Sequence, residues 1–286
     1  MNKKGGFTLI ELLTVVAVLG LLSSIILISV KSSRKDAEQK KVMQFSASIQ
    51  HGLGTYAIGM WRFENNPNDS SENGNNGVWY GTAAYSDGIM GKAASFDTSN
   101  RIIVSYGTNK FNHRSGAITY EFWIYINTYT SGYMTVLLNE NSAVLTNLAF
   151  ACEQTTTYFK CQIQCPTGGP LTNFVDFRTE APLESQRWYH VAVTYDGNDK
   201  NTAKMFLNTK EVPIYYNGLN GQDYVSSNSG HLFIGGMGPG FTNLNGLMDE
   251  VRLYDSYITI SEVRKHYAEG LIKIGLGEYY NRLNKS

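Results

Sequence analysis

The sequence GGFTLIELL at residues 5–13 opens an apolar segment that continues to Val30 and carries one carboxylate, that of Glu11. From Phe7 to Val30 there is no proline, asparagine, lysine or arginine. At a rise of about 1.5 Å per residue, a helix of this length is long enough to cross a bilayer core of about 30 Å. We therefore predict a transmembrane helix over residues 7–30.

An ionised carboxylate is costly inside a membrane helix, at about 3 kcal/mol near the centre on insertion scales. Glu11 therefore needs a partner that compensates its charge. A secretory signal peptide is the first alternative, because Lys3 and Lys4 supply a basic leader. That alternative fits poorly, since the apolar run is too long and Ser23-Ser24-Ile25 is a poor cleavage site.

The N-terminus resembles that of type IV prepilins, in which a short basic leader and a glycine precede an aromatic residue and Thr-Leu-Ile-Glu. The resemblance implies that a prepilin peptidase and N-methyltransferase removes residues 1–6 by cutting between Gly6 and Phe7, and then methylates the new amine. It also implies that Glu11 meets the amine of a neighbouring pilin subunit in a filament. A plain single-pass anchor is the alternative.

The remaining composition indicates an extracellular β protein. Twenty-four basic and 24 acidic residues balance to a formal net charge of zero, which gives no electrostatic indication of a nucleic-acid partner. Apolar residues at helical spacing continue from Val42 to Leu53, and Gly52 and Gly54 are natural helix stops. We predict a pilin helix over residues 7–54.

Alternation of apolar and polar residues is strict at Ile118–Ile126 and Tyr189–Tyr195, and clusters rich in Gly, Asn and Asp separate such segments. Many short strands at regular spacing predict a β-sandwich or jelly roll. The expected fold class is therefore α+β: one long N-terminal helix, an all-β sandwich over residues 55–270 and a C-terminal tail over residues 271–286.

The β region resembles the laminin-G-like, or concanavalin A-like, jelly roll. Six segments in the family's order carry the resemblance, which covers about residues 56–267: Met60–Glu64, Asp69–Asn75, Gly91–Asp97, Phe122–Ile124, Arg187–Gly197 and Asn245–Tyr254. The sequence departs from the family pattern at Leu207-Asn208-Thr209, where a Val-Asp-Gly type of hairpin is usual.

A calcium ion is the cofactor that this resemblance implies. Calcium takes six to eight oxygen ligands, and residues 69–75 offer several oxygen donors close together. The family often holds a structural cation between this loop and the aspartate of the last strand segment. The candidate ligands are Asp69 and Asp249, followed by Glu64, Asn73 and Asn75. A turn whose side chains bond to its own backbone is the alternative.

Three cysteines lie close together, at positions 152, 161 and 165. Outside the cell a pair should oxidise. Cys152 and Cys161 would face each other in a hairpin, and a Cys161–Cys165 pair is the shorter alternative. Aromatic residues near turns are candidates for contacts with sugars or a protein: Trp79, Tyr80, Tyr133, Tyr215, Tyr216 and Phe241.

Catalysis is not expected. Paired carboxylates on alternate positions of one strand are needed for glycan hydrolysis, and Asp249-Glu250 are adjacent, so they point to opposite faces. We expect a structural and adhesive pilin subunit, held in the cytoplasmic membrane before assembly and then in an extracellular filament, with its β domain outside and a glycan or protein ligand. The alternatives are a type II secretion pseudopilin and, from another class, a membrane-tethered glycan-degrading enzyme.

Overall fold

The structure of the protein is a computed structural model that describes residues 9–20, 22–23, 30, 57–71, 73–105, 117–129, 132–140, 148–164, 174–197, 199–218, 230–237 and 242–273. The chain divides into two compact units, Met1–Gly52 and Leu53–Ser286. The first unit is helical where it is described, and the second is built of β-strands with one helix near its end. The α+β class predicted from the sequence is confirmed.

Helix α1 covers residues 9–20 in the first unit. Its apolar side chains are exposed, with 82% of the surface of Leu9 accessible. The Thr14 hydroxyl donates to the Glu11 carbonyl at 3.0 Å, so this polar group is satisfied within the helix. Within the described residues, no helix is both long and apolar enough to cross a membrane. Gly6, Phe7 and most of residues 24–56 lie outside the described residues.

The second unit contains 17 described strands. In chain order they are β1 (Ala57–Trp61), β2 (Gly77–Tyr80), β3 (Tyr85–Asp87), β4 (Lys92–Asp97), β5 (Arg101–Ser105), β6 (Ile118–Ile126), β7 (Met134–Glu140), β8 (Leu148–Gln154), β9 (Phe159–Gln164), β10 (Phe174–Arg178), β11 (Trp188–Tyr195), β12 (Lys204–Leu207), β13 (Lys210–Val212), β14 (Ile214–Asn217), β15 (His231–Ile234), β16 (Thr242–Asn243) and β17 (Asn245–Tyr254). A 3-10 turn at Lys200–Thr202 precedes β12.

These strands form two sheets. The eight-stranded sheet has the order β13-β12-β11-β6-β17-β4-β3, with β1 also paired to β17. The nine-stranded sheet has the order β14-β10-β9-β8-β7-β15-β5-β2, with β16 paired to β7. Strands β6, β11 and β17 are long and antiparallel neighbours at the centre of the first sheet. Their alternation therefore places one set of side chains in the sandwich core and the other set on the outer face.

The main core lies between the sheets and is filled by aromatic and aliphatic residues such as Trp61, Phe122 and Phe177. A second layer lies on the outer face of the eight-stranded sheet, under helix α2 (Ile260–Lys273). There the rings of Trp123 and Tyr267 stack with centroids 5.5 Å apart. This helix was not expected from the sequence, which predicted only strands and a tail after residue 55.

The hairpin between β12 and β13 explains why the sequence can depart from the family pattern. Asn208 and Thr209 have φ angles of 49° and 70°. Two successive positive φ angles are those of a type I′ turn, which matches the twist of paired strands. The side-chain oxygen of Asn208 also accepts from the backbone N–H of His190 at 2.8 Å. Asparagine therefore provides both the turn geometry and a link to β11.

Candidate functional site

The outer face of the nine-stranded sheet carries exposed aromatic rings. Tyr215 is 66% exposed and Tyr133 is 59% exposed. Tyr216 of β14 pairs in register with Asp176 of β10, and Ile214 pairs with Phe177, so Tyr215 is the extra residue of a β-bulge. A bulge redirects the side chain of the extra residue. Here it brings the ring of Tyr215 over a cation of the neighbouring strand.

That cation is Arg178, whose Cζ atom lies 3.7 Å from the centroid of the Tyr215 ring and 4.6 Å from that of Tyr158. Arg178 also donates from Nε and a terminal nitrogen to one carboxylate oxygen of Asp176, at 2.9 and 2.7 Å. Asp176 raises the pKa of Arg178, against the opposing effect of burial. The guanidinium is therefore held in place by a carboxylate and two rings.

A second ion pair continues the same face. Lys160 Nζ lies 3.0 Å from Glu153 Oε2, and it lies 5.8 Å from the ring centroid of Tyr133. We call Tyr215, Arg178, Lys160, Glu153 and Tyr133 the aromatic–ionic row. Glu153, Lys160 and Arg178 project outward because their strand neighbours Cys152, Cys161 and Phe177 point into the core.

A disulfide bond lies directly beneath the row. Cys152 and Cys161 occupy paired positions of β8 and β9 and are bonded, with Cα atoms 4.2 Å apart. Both side chains are fully buried in the main core. The Cys152–Cys161 pairing predicted from the hairpin geometry is confirmed, whereas Cys165 lies outside the described residues.

The other candidate aromatic residues lie elsewhere. Trp79 packs against Tyr85 and Phe96, and its ring nitrogen donates to the Tyr85 hydroxyl at 2.7 Å. Tyr80 is 53% exposed on strand β2, at the opposite edge of the nine-stranded sheet, with Arg101 stacked 3.9 Å from its centroid. Phe241 lies outside the described residues.

The loop at residues 69–75 is organised by one carboxylate. Asp69 accepts hydrogen bonds from the backbone N–H groups of Met60, Ser71 and Asn75 at 2.8 to 3.0 Å. The amide of Asn73 donates to the Ala57 carbonyl at 2.6 Å. Asn75 is buried and donates likewise to the Ile58 carbonyl, while its own side-chain oxygen is buried and has no hydrogen-bond donor among the residues that the structure describes.

Asp249 lies in a different place, buried behind the turn between β3 and β4. It accepts from the backbone N–H groups of Met90 and Glu250 at 2.9 and 2.8 Å. Burial, together with the charge of Glu250, raises the pKa of Asp249 to about 8. Glu64 is exposed beside the same turn, where it accepts from the Lys92 N–H at 3.2 Å and contacts Gly91.

The structure therefore divides the candidate calcium ligands into two groups. Glu64 and Asp249 meet at the turn of residues 88–92, whereas Asp69, Asn73 and Asn75 hold the neighbouring loop to β1. No set of three or more His, Cys, Asp or Glu side chains is placed to hold a metal among the residues that the structure describes. Of the five candidate ligands, Asp249 and Glu64 are therefore the two carboxylates that lie at the same turn.

Sequence reasoning missed a buried ionic cluster between the eight-stranded sheet and α2. Glu121 lies 2.9 Å from His190 Nε2 and 2.7 Å from His266 Nδ1. Arg252 lies 3.7 Å from Glu121 and donates to Glu250 at 2.6 Å. Glu250 has a φ of 48° and sits where the register of β17 against β6 shifts. The alternation of β6 placed Glu121 on the outer face, but α2, which covers it, was not predicted.

Comparison with protein families gives two matches. The model described as the Concanavalin A-like lectin/glucanases superfamily matches residues 96–264, more than half of the 286 residues. The model described as the Prokaryotic N-terminal methylation motif matches residues 1–27. No curated protein sequence matches the chain.

Solved structures share the fold at low identity. Domain 4 of an extracellular arabinanase from Geobacillus stearothermophilus, in complex with arabinotriose, is 19% identical with a TM-score of 0.54, and the match covers 73% of this chain and 97% of that domain. The binding domain of Paraclostridial Mosquitocidal Protein 1 is 17% identical with a TM-score of 0.58, over 76% of this chain and 52% of that one.

A third similar structure is Trypanosoma rangeli sialidase in complex with 2,3-difluorosialic acid, at 12% identity and a TM-score of 0.56. That match covers 74% of this chain but only 33% of the sialidase. The chain thus spans about half of the mosquitocidal binding domain and a third of the sialidase. These likenesses establish the fold alone.

Proposed function

We propose that this chain, which belongs to the concanavalin A-like lectin/glucanases superfamily and begins with the prokaryotic N-terminal methylation motif, is an adhesive subunit of a type IV pilus or a similar filament. The methylation motif indicates a membrane-anchored precursor that is processed by a prepilin peptidase and assembled with other pilins. The lectin-like domain indicates a binding protein. A filament subunit that displays a binding domain would attach the cell to whatever that domain binds, which is the adhesive role.

The single observation that carries the proposal is the joining of an assembly motif to a binding module of about 200 residues. The described strands of that module build two sheets that share a core. The aromatic–ionic row adds an exposed surface suited to a ligand. A type II secretion pseudopilin would assemble in the same way but would have less use for such a surface.

An enzymatic role has little support among the described residues. Glu121 and Glu250 both lie on the eight-stranded sheet, and both are buried and paired with Arg252, His190 or His266. A carboxylate pair of this kind, covered by α2, cannot flank a glycosidic bond. The cluster instead stabilises the packing of α2.

Calcium remains a proposal, and Asp249 and Glu64 are its favoured ligands. The cation would offset the negative charge that burial disfavours at Asp249. Bound calcium would tie the turn of residues 88–92 to β17 and so stiffen this end of the sandwich.

The proposal is tested by identifying the N-terminal residue of the chain in surface filaments. Mass spectrometry of the chain from sheared surface filaments should find Phe7 as a methylated N-terminus, and Gly6→Val should leave uncut protein in the membrane fraction. Adhesion of cells whose filaments lack residues 55–286 should fall, while filaments remain. Recovery of Met1 on native filament protein would overturn the proposal, and unchanged adhesion would overturn its adhesive part.

A further inference from the structure

We infer that the aromatic–ionic row is the binding site of the displayed domain, and that its ligand is an extended, uncharged oligosaccharide lying across the strands. The inference rests on the proposed function, because it supplies the site and the ligand class for the adhesive module.

The register shows that the row is continuous. Arg178 of β10 pairs with Lys160 of β9, Lys160 pairs with Glu153 of β8, and Glu153 pairs with Thr135 of β7. Strand β14, which carries Tyr215, is the next neighbour of β10. Adjacent strands lie about 4.8 Å apart, so the four spacings from β14 to β7 span about 19 Å. A single sugar would cover only part of this length.

Aromatic rings mark both ends of the row. Tyr215 lies at the β14 end and Tyr133 lies just before β7, and both rings are more than half exposed. Arg178 stacks against Tyr215 at 3.7 Å, which holds this ring in one orientation. The C–H face of a sugar packs on a fixed, exposed ring, because both surfaces are apolar while the sugar hydroxyls remain at the edge. Two such rings, one at each end of the row, suit a linear oligosaccharide that contacts both of them.

Together with Asp176, which pairs with Arg178, the centre of the row is polar but has no net charge. Arg178 is paired with Asp176, and Lys160 is paired with Glu153, so two cations face two carboxylates. An anionic glycan would have to displace one of these carboxylates. Hydroxyl groups instead match the centre, since they accept from the cations and donate to the carboxylates.

Asp176 provides an independent indication of a missing donor. Its Oδ2 atom accepts from Arg178, whereas its Oδ1 atom is buried and has no hydrogen-bond donor among the described residues. A buried acceptor without a donor is unfavourable. A ligand hydroxyl could reach Oδ1 only after the side chains that cover it shift, and the new hydrogen bond would then remove this deficiency.

A protein partner fits the same surface less well. The centres of protein interfaces are depleted in charged residues, with polar groups at the rim. The aromatic–ionic row has the opposite arrangement, with ion pairs at its centre and aromatic rings at its ends. We therefore assign the site to a saccharide.

The experiment measures binding to the full-length, processed chain in detergent micelles by isothermal titration calorimetry. The probes are linear arabino-, xylo- and gluco-oligosaccharides of one to six units, with oligogalacturonates of equal length as anionic counterparts. At least one neutral series should bind, with affinity rising over several units, and its anionic counterparts should bind at least about tenfold more weakly.

Tyr215→Ala should weaken this binding by about tenfold or more. Tyr133→Ala should weaken only the longer oligosaccharides, because its ring is at the far end. The matched control is Tyr80→Ala, which removes another exposed ring stacked on an arginine but outside the row. Thermal unfolding of each variant should remain close to that of the native chain, since these rings are exposed.

Failure of every neutral series, equal or tighter binding of oligogalacturonates, or an equal loss in Tyr80→Ala would overturn the inference. Binding of a protein that persists after enzymatic deglycosylation and that Tyr215→Ala abolishes would overturn it in favour of a protein ligand. Filament yield is measured separately in the same strains. Loss of saccharide binding with intact filaments concerns this inference alone, whereas absence of filaments concerns the proposed function.

Discussion

His266 Nδ1 of helix α2 lies 2.7 Å from Glu121 Oε2 at the centre of the eight-stranded sheet, and both side chains are buried. His190 approaches the other carboxylate oxygen at 2.9 Å. Although burial opposes it, the charges and hydrogen bonds of His266 and His190 lower the pKa of Glu121 well below its usual value. The ionised carboxylate is therefore part of what holds α2 to the sheet.

We predict that Glu121→Gln destabilises the protein by about 3 kcal/mol near neutral pH, because Arg252, His190 and His266 then face a neutral amide in place of a buried carboxylate. A carboxylate with a lowered folded pKa contributes stability above its unfolded pKa, near 4.5, and loses it as the pH falls toward the folded value. The difference between native and variant proteins in urea unfolding should thus shrink below about pH 4.5.

The control for this prediction is Glu211→Gln, which breaks the exposed pair with Lys204. An exposed pair contributes less than about 1 kcal/mol, so little change is expected. Equal stability of Glu121→Gln and native protein at pH 7 would show that α2 does not depend on the ionic cluster.

Removal of the disulfide should destabilise the sandwich under the aromatic–ionic row. Cys152 and Cys161 are nine positions apart, and closing a loop of this size contributes about 3 kcal/mol in the chain-entropy model. We predict a loss of about this size for the Cys152→Ala/Cys161→Ala variant in denaturant unfolding. Cys165→Ser is the control, and a loss of equal size there would mean that a different pair matters.

The pilin assignment makes a separable prediction for Glu11. Glu11→Ala removes a costly carboxylate from the apolar segment, so membrane insertion should be undiminished. If the partner of Glu11 is the amine of a neighbouring subunit, that amine loses its counter-charge, at about 3 to 5 kcal/mol for a buried pair. Filament yield should therefore fall while the membrane fraction keeps its subunit, measured by immunoblots of both fractions.

Thr14→Ala is the matched control for this experiment. It alters a polar side chain of the same helix, which bonds only to the Glu11 backbone carbonyl among the contacts described for it. Full filament yield from Glu11→Ala would indicate that the N-terminal segment is a plain membrane anchor.

Calcium binding should distinguish the two groups of candidate ligands. If calcium is held by Asp249 and Glu64, added calcium should raise the melting temperature by mass action, and Asp249→Ala should abolish the rise. Asp69→Ala should lower stability with and without calcium, because this carboxylate accepts three backbone hydrogen bonds. The unfolding is followed by circular dichroism.

The effect of calcium should also depend on pH. Since the pKa of Asp249 is raised to about 8, a proton competes with the cation, and the calcium-dependent rise should be larger at pH 9 than at pH 6. If calcium raises the melting temperature at neither pH, the proposed calcium site is wrong.

Local patterns were enough to predict much of this protein. The N-terminal methylation motif is visible in contiguous residues, and a strand such as Ile118–Ile126 follows from alternation within nine residues. The Cys152–Cys161 bond was also accessible, because a hairpin places residues close in sequence opposite each other. Each of these features depends on residues that are near neighbours along the chain. One short segment therefore contains all the residues needed to predict it.

The contacts that could not be predicted join residues far apart in the chain. Glu121 and His266 are separated by 145 positions, and Met90 and Asp249 by 159. Tyr215 reaches Arg178 only because β14 adds to the edge of the nine-stranded sheet with a bulge. No periodicity specifies which strand lies beside which, since that choice depends on packing the whole core at once. The folded sandwich, rather than any segment, therefore decided where the ionic cluster, the Asp249 corner and the aromatic–ionic row are formed.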